Sequence, residues 1–151
     1  MIKRHPLTRI GTVAGALSAA LLLTVTQASA ASAETERATA TTGPTGDGWE
    51  CSPHYSDQRA QVCYEDVGDW FHVMEGVSDG YSAVAQWETI DPQNRVTRWG
   101  FIYNADGSAT TRFKNKDFAE SDAIRFRACL GHWSTKLIDA GTCAAWRTLG
   151  T

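Results

Sequence analysis

Beyond residue 25 the sequence has no long apolar run. The run it does have, residues 10–25, is interrupted by Gly11, Thr12, Gly15 and Ser18 and falls short of the roughly 20 apolar residues a spanning helix needs, so no membrane span is expected. Metal-ligand spacings are missing too: neither C-x-x-C nor H-x-x-x-H occurs, which argues against a zinc site. There is no H-E-x-x-H and no G-x-x-x-x-G-K, so the commonest marks of a zinc protease and of a phosphate-cradling loop are lacking. Histidine is scarce, with four in the chain and only His54, His72 and His132 after residue 30. A nucleophilic hydrolase needs Ser or Cys joined to a histidine and an acid, and no spacing here joins them. No catalytic residue, metal or cofactor is assigned on this basis.

What is present begins with an export leader. Residues 1–30 run from the cations Lys3, Arg4 and Arg9 through the apolar stretch to Ala28-Ser29-Ala30, the three-part pattern of a cleaved secretory signal. Residues 31–48 are rich in Thr, Ala, Gly and Glu and from Glu34 onward carry no large apolar side chain, so a disordered linker is expected there. The folded domain is then residues 49–151, a size at which only about two thirds of the chain's surface is buried and covalent staples are often required.

Cys51, Cys63, Cys129 and Cys143 supply the staples. An even count in an exported chain points to two disulfides. Of the three possible connectivities, Cys51–Cys63 and Cys129–Cys143 are favoured because each pair brackets a short segment between neighbouring strands.

Charge is divided unevenly. Without the leader the chain has 11 basic and 17 acidic residues. Residues 34–91 hold 2 of the basic and 12 of the acidic ones. The two halves are expected to pair with each other; the other reading is a basic face of Arg98, Arg112, Lys114, Lys116, Arg125 and Arg127 open to an anionic polymer. Net acidity argues against nucleic acid as a partner.

The strongest local pattern is residues 96–113, which read as a β-hairpin turning at Asn104-Ala105-Asp106-Gly107, with Gly107 in the left-handed region. Period 2 places Thr97, Trp99, Phe101 and Tyr103 on one face of its first strand. Residues 70–75 alternate Trp70, His72 and Met74 against Phe71 and Val73. Residues 81–90 set Ala83, Ala85, Trp87 and Thr89 against Val84, Gln86 and Glu88, and residues 123–130 set Ile124, Phe126, Ala128 and Leu130 against Arg125, Arg127 and Cys129. Short strands are also expected near residues 49, 59–65 and 143–147, residues 76–80 read as a turn, and Asp117 with Glu120 could cap one helical turn. About seven strands with almost no helix predict a small antiparallel β-sandwich, with a small β-barrel as the alternative.

The ending Phe126-Arg127-Ala128-Cys129, a loop, then Cys143-Ala144-Ala145-Trp146 resembles that of many small secreted two-disulfide β-domain proteins of actinobacteria, mostly of unassigned function. The resemblance covers the last third of the chain and implies a Cys129–Cys143 bond with Trp146 packed near it.

Six tryptophans in so small a domain are the main functional hint. Trp99, Phe101, Tyr103 and Trp133 are the candidate ligand-binding rings of a secreted, non-enzymatic domain for polysaccharide or cell-envelope polymer, although rings in a small domain also serve as core. An alternative is a protease inhibitor offering Lys136 and Leu137 in the Cys129–Cys143 loop. A small hydrolase built on His72 or His132 is the third reading.

Overall fold

A computed structural model of the chain describes residues 32–55 and 58–150; the expected leader, residues 1–30, lies outside them. The described chain forms ten strands: β1 Glu34–Arg37, β2 Glu50–Cys51, β3 Ala60–Glu65, β4 Trp70–Glu75, β5 Ser82–Ile90, β6 Val96–Asn104, β7 Thr110–Asn115, β8 Ala123–His132, β9 Leu137–Asp139 and β10 Arg147–Leu149. They build two sheets, a six-stranded one in the order β1-β6-β5-β8-β10 with β9 added to β8, and a four-stranded one in the order β2-β3-β4-β7. The architecture is a β-sandwich, and both favoured disulfides, Cys51–Cys63 and Cys129–Cys143, are formed.

The alternating patterns set the core. From the large sheet Ala83, Ala85, Trp87, Ile102, Phe126, Ala128 and Leu130 point inward, and from the small sheet Val62, Tyr64, Phe71 and Val73 meet them. The rings pack at angles that suit their quadrupoles, with Phe71 edge-on to Phe126 at 6.1 Å and Trp87 tilted over Phe118 at 4.9 Å. Small residues opposite large ones let the sheets interlock, as at Ala85 beside Trp87 on β5.

Three sequence expectations are corrected. Residues 96–113 are not a hairpin, because β6 lies in the large sheet while β7 pairs with β4 in the small one. The buried Asn104 side chain explains the divergence: its amide donates to the carbonyls of Val73 and Thr110, each at 3.0 Å, and so ties the end of β6 to the small sheet. Gly107 does take a positive φ of 89°.

The expected linker, residues 31–48, is not wholly loose either. β1 lies parallel to β6, with Glu34 opposite Gly100 and Arg37 opposite Tyr103. A Cβ at residue 100 would stand 2.2 Å from the Glu34 carbonyl oxygen, so glycine is what lets the strand approach. Charge holds it there. Glu34 pairs with Arg98 at 2.8 Å and with Lys116 at 2.7 Å, and Glu36 pairs with Lys114 at 2.8 Å and with Lys116. Composition alone misread the segment because its stabilising partners are 64 to 82 residues away in sequence.

The third correction concerns the C-terminal third. β8 runs to His132, a turn leads into β9, and the only helical residues described are a 3-10 turn at Ala140–Thr142. The last strand starts at Arg147 instead of Cys143, and residues 117–120 form no helix.

Candidate functional site

The outward face of the large sheet is built by the same alternation that buries its inward face. On β5 the outward residues are Val84, Gln86 and Glu88, each in register with one residue on β6 and one on β8. Three rows result: Tyr103-Val84-Cys129, Phe101-Gln86-Arg127 and Trp99-Glu88-Arg125. β1 extends them at the edge, placing Thr35 beside Phe101 and Arg37 beside Tyr103.

The four expected rings do not share one fate. Tyr103 is fully buried in a small cluster with Val84 and Cys129, and burial pushes its phenol up to about 12. It is therefore structural, not a surface ring. Trp133 packs on it at 5.6 Å between centroids, and the Lys136 ammonium sits 2.8 Å from the Trp133 ring centre. Trp99 and Phe101 are half-buried on the outer face and meet edge to face at 5.8 Å.

Polar groups flank those two rings. Arg127 Nε donates to Gln86 Oε1 at 2.9 Å, and Arg125 Nε donates to Glu88 Oε2 at 2.6 Å. Both guanidinium groups lie over the ring of Trp146, at 4.4 Å for Arg127 and 5.0 Å for Arg125, which fixes their planes by cation–π attraction. Of the six cations proposed as a basic face, five have carboxylate partners: Arg98, Lys114 and Lys116 with the β1 glutamates, Arg112 with Asp106, and Arg125 with Glu88. The pairing of halves thus accounts for most of the charge asymmetry. Among the described residues Arg127 is the one of the six with no salt bridge to a carboxylate; partial burial holds it below the usual arginine range against the opposing attraction of nearby Glu88, with Arg125 adding to the lowering.

Gln86 and Trp146 were not picked out as site residues from the sequence, and Arg127 was named only as one of the six cations of a basic face. The signal was available: the outward sides of β5 and β8 were both legible, and only their register across the sheet was missing.

The other readings meet less favourable geometry. Lys136 has a left-handed φ of 59°, donates to the Trp133 carbonyl at 2.6 Å and folds back onto the ring. A protease subsite takes its residue from an extended strand with the side chain projecting, which this turn does not offer; Leu137 is exposed but already paired in β9. For hydrolysis, Gly76-Val77-Ser78-Asp79-Gly80 matches G-x-S-x-G in letters. It lies on the turn from β4 to β5, however, where no helix follows, and Asp79 is engaged by Arg59. His72 lies between Trp49 and Phe113, His132 stacks on Tyr81 at 4.6 Å, and neither is hydrogen-bonded to a carboxylate among the described residues.

A cleft of about 250 Å³ opens between the sheets at the other end, lined by Tyr64, Asp66, Asp69, Glu120 and Asp122 among others. Both oxygens of Asp69 are taken, one by the Tyr64 hydroxyl and one by the Phe118 amide at 2.8 Å. No group of three or more His, Cys, Asp or Glu among the described residues is arranged to hold a metal ion.

No protein-family model matches the chain, and no curated protein or solved structure shows significant similarity to it. No helix among the described residues is long and apolar enough to cross a membrane.

Proposed function

We propose that this is a secreted, non-enzymatic β-sandwich domain that binds polysaccharide on the outward face of its large sheet. One observation carries the reading: Phe101, Gln86 and Arg127 stand side by side on three adjacent strands, an aromatic ring followed by hydrogen-bonding groups in a single register row. A pyranose has an apolar face of polarised C–H bonds and a rim of hydroxyls. The electron-rich face of an aromatic ring suits the first, and amide and guanidinium groups suit the second. From Phe101 to Arg127 is two strand spacings, about 10 Å, enough for more than one sugar of an extended chain. Export is supported by the leader pattern and by two disulfides, which persist in oxidising surroundings.

The test is co-sedimentation of the mature protein with insoluble chitin, cellulose and peptidoglycan, with Phe101→Ala beside wild type. Retention of wild type and loss of the variant on at least one polymer is the expected result. Failure of wild type to bind any polysaccharide, insoluble ones by co-sedimentation and soluble acidic ones by affinity electrophoresis, would sink the proposal.

A further inference from the structure

We infer that the polysaccharide taken by this face is an acidic one, recognised through the negative groups on its sugars. The inference rests on the binding reading above and adds the ligand's charge.

The chain without its leader carries 17 acidic and 11 basic residues, so a positive patch is not what composition supplies by default. The outward face of the large sheet nevertheless has a cationic balance. Arg125 is matched by Glu88, and Arg37 shares Asp106 with Arg112. Arg127 and Lys136 have no salt bridge to a carboxylate among the described residues, and both lie on this side of the sheet. Arg127 is also held ready. Its Nε is bound to Gln86 and its guanidinium carbon lies 4.4 Å from the centre of the Trp146 ring, while its two terminal nitrogens make no hydrogen bond within the described protein. A guanidinium in that state offers a fork of donors that matches a carboxylate or sulfate in geometry as well as charge, with little side-chain freedom left to lose. A neutral glycan would leave that charge, already drawn partly out of water, with no anion in direct contact, since the nearby Glu88 is taken by Arg125.

The experiment is affinity electrophoresis of the mature protein through gels containing polygalacturonate, dextran sulfate or unmodified dextran, in parallel with the insoluble polymers above. Wild type is expected to be retarded by an acidic polymer and not by dextran. The polygalacturonate and dextran sulfate arms separate carboxylate from sulfate as the recognised group. Arg127→Gln is expected to weaken retardation by about tenfold, the scale of one lost charge-assisted contact, and Arg127→Lys by less. Arg95→Gln, on the exposed turn between β5 and β6, should leave it unchanged. Raising salt to about 0.5 M should weaken wild-type binding, because screening shortens the reach of the charge. If neutral polymers are bound as well as acidic ones and Arg127→Gln is without effect while its circular dichroism is that of wild type, the acidic assignment is wrong and the binding reading stands. If no polysaccharide of any charge is bound, both fall.

Discussion

The two sheets carry comparable aromatic material on their outward faces and dispose of it differently. On the small sheet, His72 of β4 and Phe113 of β7 face each other at 5.3 Å, and Trp49 closes over both at 5.7 and 5.8 Å. The chain around residue 43 lies against Phe113 so closely that a Cβ at Gly43 would stand 2.3 Å from its ring, and Ala40 bridges to the Phe113 backbone. There the rings meet other rings and the chain's own N-terminal segment. On the large sheet, Phe101 and Trp99 meet each other edge to face and stand in register beside Gln86 and Glu88, with Arg127 and Arg125 one strand further on. Rings covered by a further ring and by the chain's own N-terminal segment are a core displaced outward; rings flanked by hydrogen-bonding groups on the next strands suit a polar ligand. The same residue types serve stability on one side and, in our proposal, recognition on the other.

The sharpest way to break this comparison is to remove the clip beneath the proposed site. Cys129 lies in the row beside Val84 and Tyr103, and its bond to Cys143 closes a 14-residue separation. Replacing both cysteines by serine should lower unfolding free energy by about 3 kcal/mol in the chain-entropy account. Denaturant titration reads this directly, and a loss well under 1 kcal/mol would mean that β8 and β9 are held without it. Next in size is Trp49→Ala, which strips the cover from the small sheet. About 2 to 3 kcal/mol of stability should go, somewhat below the cost of a fully buried ring, with polysaccharide retention unaltered. Phe101→Ala is the mirror experiment, costing about 1 kcal/mol or less because the ring is half-buried, and abolishing retention. If the two variants trade effects, the division of labour between the sheets is reversed.

Lys116→Met falls between the Trp49 and Phe101 variants in its cost to stability. The Lys116 side chain is 5% exposed and serves both Glu34 and Glu36, whose side chains are 33% and 28% exposed. Because the carboxylates are still partly in water, about 1 to 2 kcal/mol is expected in place of the larger cost of stranding a buried charge. Hydrogen exchange should show β1 released from β6 before the rest of the large sheet opens. Exchange that rises uniformly across the domain would place Lys116 in the common core instead.

How much of this was legible beforehand depends on how far apart the responsible residues are. Local alternation gave β4, β5 and β8 with the correct faces, since period 2 needs no partner to be read. Both disulfides were legible as well, because each spans a short separation. Residues 96–113 show the limit. The turn chemistry at Asn104 and Gly107 is real, yet a turn specifies a reversal of the chain and not the sheet to which the next strand returns. That choice rests on Asn104 reaching Val73, a contact 31 residues away. β1 was hidden for the same reason. Its strand character comes from Gly100, Arg98 and Lys116, none of them nearby in sequence. At the proposed site, the individual side chains could be named from sequence, but the row Phe101-Gln86-Arg127 exists only once three strands are in register.

The smallest predicted effect sharpens the comparison from the side of the covered rings. His72 Nε2 is buried with no hydrogen-bond partner, and desolvation between Trp49 and Phe113 holds the imidazole below its ordinary value of 6.5. The unfolded chain takes up a proton there near 6.5, whereas the folded chain resists until the pH is lower. In that interval the unfolded state binds more protons, so the contribution of a neutral His72 is complete above about pH 6.5 and lost as the pH falls below it. Glu34 acts in a separate, lower window. Its carboxyl is drawn from 4.5 down to about 2, chiefly by the Arg98 hydrogen bond, so its share is present above pH 4.5 and lost as the pH falls toward 2. Denaturation midpoints measured from about pH 8 to about pH 5 should therefore decline for wild type and stay level for His72→Phe, which keeps a ring in the same place and cannot be protonated. A decline of equal size in His72→Phe would assign that interval to other groups, and the small sheet's outer rings would then be covered without being desolvated.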